Sequence, residues 1–312
     1  SILSQFRQHF MSLLQNRLED FNMNNITGHT GLTALLGSPV ANSISPLMHN
    51  ESFRLLGLDY VYLCFDVNEE TLPAAVAGLK TCGIRGFNLT MPNKNKIVEL
   101  LDELSPEAQL IGAVNTVLND NGKLIGYNTD GYGFMQSVRD AGHDITGKNI
   151  TVMGVGGASM AICAQSALDG AASVHIFARR TSRYWNRTQK FAENLSAKTG
   201  CQVCLFDNDD HTALRNSIAQ SYLLINATSV GMVPDIDDTI IKDTSLFHPE
   251  LVVADVVYEP QETRLLREAK AAGCQTFNGM YMLLHQGAKA FQIWTGQEMQ
   301  VSVIKEKYFS VK

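Results

Sequence analysis

The sequence predicts an α/β fold in two units, each a largely parallel sheet flanked by helices. Two observations carry this. Short apolar or β-branched runs alternate with helical runs from Thr33 to Phe277, and such regular alternation implies parallel, doubly wound sheets. A glycine-rich turn, Gly154-Val155-Gly156-Gly157-Ala158-Ser159, stands between one of these strands and a helix. The length of 312 residues suits two domains at roughly 150 residues each.

The elements follow in order. Thr33–Leu36 is apolar and short before a Gly-Ser-Pro loop, and predicts a strand. Pro46–Leu56 has helical spacing and meets Gly57. Tyr60–Val67 is aromatic and β-branched, a strand. Leu72–Thr81 predicts a helix closed by Gly83, Ile84–Leu89 a strand, and Lys96–Leu104 a helix. Ala113–Leu118 and Leu124–Tyr127 flank Asn119-Asp120-Asn121-Gly122. An Asn-Gly between extended runs is the strongest short hairpin signal. This unit therefore reads βαβαβα with an antiparallel hairpin at its edge.

The second unit begins near Thr129–Gly131, with a helix expected over Tyr132–Ala141. Strands are expected at Asn149–Met153, Val174–Phe177, Gln202–Phe206, Leu223–Ala227, Leu251–Val257 and Cys274–Phe277. Helices are expected at Ala158–Leu168, Gln189–Lys198, His211–Ala219 and Glu262–Ala272. Two last helical stretches, Met280–Thr295 and Val303–Phe309, have no strand of their own and must pack on something already built. Before all this, Leu3, Phe6, Phe10, Leu13, Leu14 and Leu18 recur at helical spacing. They predict an amphipathic extension over residues 1–22, packed on the body or on a partner. Arg7, Gln8, His9, Gln15 and Arg17 break any signal-peptide core there.

Composition narrows the function classes. The chain is 45% hydrophobic and 18% charged, with 25 basic against 31 acidic residues and a net charge of −6. A mildly acidic chain without a basic run is a poor nucleic-acid or anionic-membrane binder. No run of 18 apolar residues predicts a membrane span. Six scattered cysteines suit a reducing cytoplasm. Cys201-Gln202-Val203-Cys204 sits in a predicted strand with no second Cys or His pair, and His49, His143 and His285 have no matched ligand spacing. No metal is expected, since zinc sites need four ligands at matching spacing. A small-molecule pocket remains.

The turn at Gly154 is the first chemical motif. A strand running into Gly154-x-Gly156-Gly157-Ala158, then a helix and a second strand, fits dinucleotide binding. The first glycine allows the tight turn. The second lets backbone N–H groups approach a pyrophosphate, which the helix N-terminus stabilises. Ser159 replaces the usual third glycine. The end of the second strand, where NAD binders place a carboxylate for the ribose 2′-OH, reads Ala178-Arg179-Arg180-Thr181-Ser182-Arg183. Arg179 and Arg180 suit a 2′-phosphate through charge-assisted bonds. NADP is favoured. A Thr or Ser hydroxyl leaves NAD open.

Polar clusters mark the first unit: Asn42-Ser43-Ile44-Ser45-Pro46, Asn88-Leu89-Thr90-Met91-Pro92-Asn93-Lys94, Asn115-Thr116 and Asn128-Thr129-Asp130-Gly131. Hydroxyls and amides suit a small polyhydroxylated ligand. Hydride transfer to a ketone creates alkoxide character and needs a nearby proton donor. Lys94 fits that task, with Asp130 to hold and tune it. Taken singly, Ser43 fits a helix entry, Lys94 a surface lysine and Asp130 a helix cap. As an ordered set beside a dinucleotide loop they fit a site.

These motifs resemble the shikimate dehydrogenase family, and within it the quinate/shikimate dehydrogenase branch, from about Thr33 to Phe309. Ser43-x-Ser45 resembles the family's substrate-carboxylate site, and Thr90-x-Pro92-x-Lys94 its catalytic lysine segment. Gly112-Ala113-Val114-Asn115-Thr116 and Asn128-Thr129-Asp130-Gly131 resemble the segments giving a substrate-binding Asn and the catalytic Asp. Asp255-Val256-Val257-Tyr258-x-Pro260 and Gly279-Met280-x-Met282-Leu283-x-x-Gln286-Gly287-Ala288 resemble the motifs whose Tyr258 and Gln286 line the pocket. The resemblance implies an N-terminal α/β substrate domain plus a Rossmann dinucleotide-binding domain. It assigns 23–129 and 278–312 to the first and 130–277 to the second. Thr228, Met232 and Gly279 would lie by the cofactor. The family's usual Asn-Arg at the second strand's end is Ala178-Arg179 here.

The implied activity is reversible NADP-dependent reduction of 3-dehydroshikimate to shikimate, in chorismate and aromatic amino acid biosynthesis. A monomer or homodimer in the cytoplasm is expected. The alternatives are a quinate/shikimate dehydrogenase using NAD for quinate catabolism and a cofactor-binding regulator without turnover. The regulator reading predicts a damaged Lys/Asp pair, and both residues are present.

Overall fold

The structure, a computed structural model, describes residues 26–310, so the helical extension expected over 1–22 lies outside the described residues. Twelve strands form two six-stranded sheets among the described residues. The first holds β1 (Gly31–Gly37), β2 (Tyr60–Asp66), β3 (Gly86–Leu89), β4 (Glu103–Leu104), β5 (Thr116–Asp120) and β6 (Lys123–Tyr127), in the order β2-β1-β3-β5-β6-β4. Strands β1, β2 and β3 run parallel, and the β5–β6 hairpin joins β3 antiparallel. Helices α1 (Ser45–Leu55), α2 (Leu72–Thr81) and α3 (Pro106–Ile111) connect them.

One segment departs from expectation. Lys96–Leu104 is no continuous helix. It is a 3-10 turn over Lys96–Leu100 followed by β4, and α3 comes after. Leu101 is extended at φ −103° and ψ 148°, and Asp102 Oδ2 accepts the N–H of Leu124 at 2.7 Å. β4 pairs with β6, so the hairpin is one strand in from the edge. Ser105 caps α3 by accepting from Ala108 N–H, with Pro106 in the first turn. That cap-and-proline signature was readable in Ser105-Pro106.

The second sheet is wholly parallel. It holds β7 (Asn149–Met153), β8 (Ser173–Ala178), β9 (Gln202–Asp207), β10 (Leu223–Asn226), β11 (Val252–Asp255) and β12 (Gln275–Phe277) in the order β12-β11-β10-β7-β8-β9. This is the 3-2-1-4-5-6 order of the doubly wound dinucleotide fold. Its helices are α4 (Asp130–Asp140), α5 (Gly157–Leu168), α6 (Trp185–Thr199), α7 (His211–Gln220) and α8 (Arg264–Ala271). Strands β7, β10 and β11 are buried on both faces and read as apolar runs, as parallel strands between helix layers must.

The last helices, α9 (Met280–Thr295) and α10 (Val301–Tyr308), return to the first sheet. Trp294 is buried there, its indole N–H donating to Val117 O at 2.9 Å. Arg85 Nε donates to Trp294 O at 2.8 Å. Helix α9 also lies tight against α4. A Cβ on Gly133 would stand 2.6 Å from Met282 O and 2.7 Å from Gln286 N, so only a glycine permits that approach. No helix among the described residues is long and apolar enough to cross a membrane.

Candidate active site

Two cavities adjoin between the sheets. The larger, about 1260 Å³, follows the carboxyl ends of β7, β8 and β10. That is the switch point where doubly wound sheets bind ligands. Gly154 makes the turn at φ +112°, and a Cβ there would meet Thr228 Cγ2 at 2.7 Å. Gly156 and Gly157 have open space where a side chain would stand, so a ligand can approach the main chain at the N-terminus of α5. Ser159 is buried and donates from Oγ to Gly154 O at 2.6 Å, bracing the turn. A third glycine is unnecessary because this serine packs within its own turn.

Gly154, Gly156, Gly157, Ala158, Arg179, Thr228 and Met232 all line this cleft. Arg180 does not. Its guanidinium lies over the Trp185 ring, 4.7 Å from the centroid. Arg183 lines the cleft instead, with Thr181, Ser182 and Asn208. Its place in the arginine-rich run was legible. That of Asn208 was not, because it depends on the register of β8 with β9. Gly279 lines the smaller cavity, where a Cβ would meet Val256 O at 2.0 Å.

The smaller cavity, about 320 Å³, gathers Ser43, Ser45, Thr90, Lys94, Asn115, Asp130, Tyr258 and Gln286. These residues come from six separate stretches of chain. Lys94 Nζ donates to Asp130 Oδ2 at 2.6 Å, with the lysine side chain 32% and the carboxylate 13% exposed. Asn115 Nδ2 donates to Asp130 Oδ1 at 2.9 Å, and Thr129 N–H donates to Asn115 Oδ1 at 2.8 Å. Gln286 Oε1 lies 3.4 Å from Asn115 Nδ2, and Gln286 Nε2 donates to Leu283 O at 2.9 Å. The carboxylate is thus held on both oxygens, and its lysine is aimed with it.

The loop carrying Lys94 is pinned from below. Asn93 is fully buried and donates from Nδ2 to Val67 O at 2.7 Å, and Val114 N–H donates to Lys94 O at 2.8 Å. Ser43 Oγ accepts the N–H of Ser45 at 3.2 Å, so it shapes the entry to α1 as well as lining the cavity. Asn88 also lines the cavity and was visible only as part of a polar cluster. Its Nδ2 donates to Asn115 O and Thr116 Oγ1, and it accepts from the Tyr62 hydroxyl at 2.8 Å. Burial pushes the Tyr62 phenol well above its usual range, so it stays a donor.

Ala158, Val256 and Tyr258 line both cavities. A group bound at the inner end of the cleft therefore abuts the Lys94–Asp130 pair. An ammonium beside a carboxylate, next to hydroxyls and amides, can bind a polyhydroxylated acid and pass a proton. Cys201 and Cys204 lie apart from both cavities, and burial pushes the Cys201 thiol up to about 11. Among the described residues no cluster of His, Cys, Asp and Glu could hold a metal ion.

Comparison with known proteins places the whole chain in a family. Residues 35–117 match the shikimate dehydrogenase substrate binding domain, and residues 279–307 match the shikimate 5′-dehydrogenase C-terminal domain. Shikimate dehydrogenase (NADP(+)) of Listeria innocua is 51% identical over 284 residues, 91% of this chain and 97% of the relative. The crystal structure of shikimate 5-dehydrogenase from Listeria monocytogenes, in complex with shikimate and NAD, is 51% identical with a TM-score of 0.88, covering 90% of this chain and 97% of that one. A shikimate dehydrogenase in complex with NADP+ is 40% identical with a TM-score of 0.79, covering 90% and 95%. Two matched domains that meet at the Lys94 pocket, and half-identity over nearly the full length of a relative, leave one assignment: the chain belongs to the shikimate dehydrogenase family.

Proposed function

We propose that this chain catalyses the reversible NADP-dependent reduction of 3-dehydroshikimate to shikimate, a step in chorismate and aromatic amino acid biosynthesis. The observation that carries it is the Lys94–Asp130 pair at 2.6 Å in a pocket sharing a wall with the dinucleotide cleft. NADP, when bound, supplies or accepts the hydride. Everything else falls to the chain. Ser43 and Ser45 hold the substrate carboxylate, while Thr90, Asn115, Tyr258 and Gln286 hold and orient the ring. Lys94 Nζ gives its proton to the carbonyl oxygen as that oxygen gains charge, and takes one back in the reverse direction. Asp130, fixed by Asn115, keeps the lysine aimed at the substrate.

On the cofactor side Gly154, Gly156, Gly157 and Ala158 present the main chain to a pyrophosphate, and Arg179 takes the 2′-phosphate. Thr228 and Met232 cover the cofactor, and Gly279 lets it meet the substrate. The substrate domain is assigned to 23–129 with 278–312, and the dinucleotide domain to 130–277. The protein acts on small acids in the cytoplasm as a monomer or homodimer. Both ligands are anions and the chain carries −6, so Lys94, Arg179 and Arg183 supply the local attraction against the global sign.

A quinate/shikimate dehydrogenase using NAD is the second reading, favoured by the NAD bound in the Listeria monocytogenes relative. Steady-state kinetics with shikimate and quinate, each against NADP+ and NAD+, separates the two. The highest kcat/KM should fall on shikimate with NADP+. A tenfold preference for NAD+ or for quinate overturns the first reading, and no turnover in any combination leaves a cofactor-binding regulator.

A further inference from the structure

Strand β8 ends at Ala178, the position where dinucleotide-binding sheets present a side chain to the adenosine ribose. Ala178 is 3% exposed and has no polar side-chain atom. The neighbouring strand supplies one. β8 and β9 run parallel with Ala178 opposite Asp207. The next residue, Asn208, donates its N–H to Ala178 O at 2.9 Å. Asn208 therefore stands at the tip of β8 with Arg179, and both line the large cleft. Asp207 is engaged elsewhere, its Oδ1 accepting Asp209 N–H at 3.2 Å. Asn208 Oδ1 is buried and has no hydrogen-bond partner. No protein partner therefore fixes the carboxamide about its last torsion, and the residue that carries it lines the cleft, so a turn of that torsion brings either its oxygen or its nitrogen to a ligand there.

We propose that the Asn208 carboxamide reads the 2′ position of the cofactor's adenosine ribose. A carboxamide accepts from a 2′-hydroxyl through Oδ1. Turned by half a rotation about its last torsion, it donates from Nδ2 to a 2′-phosphate beside Arg179. A carboxylate in the same place accepts from the hydroxyl only and repels the phosphate. Asn208 thus makes the site tolerant of both cofactors, and Arg179 tilts it to the phosphorylated one. The inference rests on reading the large cleft as the cofactor site.

The test is calorimetric binding of NADP+ and NAD+ to the full chain, without turnover, for the wild type, Asn208→Asp and Asn208→Ala. Asn208→Asp should weaken NADP+ at least about tenfold while NAD+ stays within about threefold. Asn208→Ala should weaken both about fivefold. An NADP+/NAD+ ratio within twofold of wild type in the Asp variant overturns the proposal. Should that variant fail to fold, the Ala variant decides, and unchanged binding of both cofactors overturns the proposal. A wild type that binds neither cofactor refutes the reading of the cleft itself. A wild type that binds NADP+ while the variants are indifferent refutes only the role of Asn208.

Discussion

Around the turn after β7, the polar atoms open to a ligand belong to the main chain of Gly156, Gly157 and Ala158. Around Lys94 they belong to side chains from separate stretches, joined through Asn115, Asp130 and Gln286. A main-chain site is local. It needs glycines at fixed spacing and one helix start, and tolerates wide change elsewhere. A side-chain site is set at a distance, since each group is aimed by what packs beneath it. The two halves of the molecule should therefore fail differently when substituted.

The largest expected effect falls on the side-chain site. Lys94→Ala should lower kcat at least about a hundredfold, the low end for a positioned proton donor. Binding of NADP+, measured by calorimetry, should not change, because the main-chain site is untouched. Near-normal turnover in this variant would remove the lysine from proton transfer. Lost NADP+ affinity would show that the two sites are not separable.

Gly133→Ala probes action at a distance. Alanine normally favours a helix interior over glycine by up to about 1 kcal/mol. Here the added Cβ meets the main chain of α9 at 2.6 and 2.7 Å, and backbone cannot swing aside. The expected net result is a loss of about 2 kcal/mol in urea unfolding, typical of overpacking. KM for shikimate should rise, because Gln286 rides on α9 and Asp130 on α4. A stabilised variant with unchanged KM would mean the two helices part without consequence for the pocket.

The same contrast explains what could be read in the sequence. In the second sheet β7, β10 and β11 were legible because buried parallel strands read as apolar runs, and the turn after β7 is one short motif. Lys94 and Asp130 were legible as a proton-handling pair in two polar clusters and Ser43 as part of a third, while Gln286, within a helical run, was placed in the pocket only by the resemblance to a family. Their convergence depends on α9 returning to the first sheet, fixed by contacts such as Trp294 with Val117. The stacking of Arg180 on Trp185, five residues on, is a contact that the run of arginines does not record. The helix expected over Lys96–Leu104 failed because Asp102 pairs with Leu124 across the sheet, a contact no local pattern records. Asn208 had no local signal at all.

The smallest effect tests the packing beneath the side-chain site. His49 is fully buried, stacked on Tyr62 at 4.5 Å, with both ring nitrogens unpartnered. In the other half of the molecule His143, in the loop after α4, and His175, on β8, keep partners, Tyr222 and Ser217. Burial lowers the His49 pKa from 6.5 to about 3. The unfolded chain therefore takes up a proton as pH falls through 6.5, while the fold does so only near 3. Stability from this group is complete above pH 6.5 and lost below it, by about 1.4 kcal/mol at pH 5.5. Asp255 acts in the opposite sense. Burial raises its pKa from 3.8 to about 6 despite its hydrogen bonds from Val257, Thr263 and Asn226, so the cost of its charge is full above 6 and fades toward 3.8. That trend is common to wild type and variant and cancels in their difference. His49→Phe should gain about 1.4 kcal/mol on wild type between pH 8 and pH 5.5 in urea unfolding. An identical pH dependence in the two proteins would mean that His49 finds a proton or a partner inside the fold, and that the floor of the pocket is not dry.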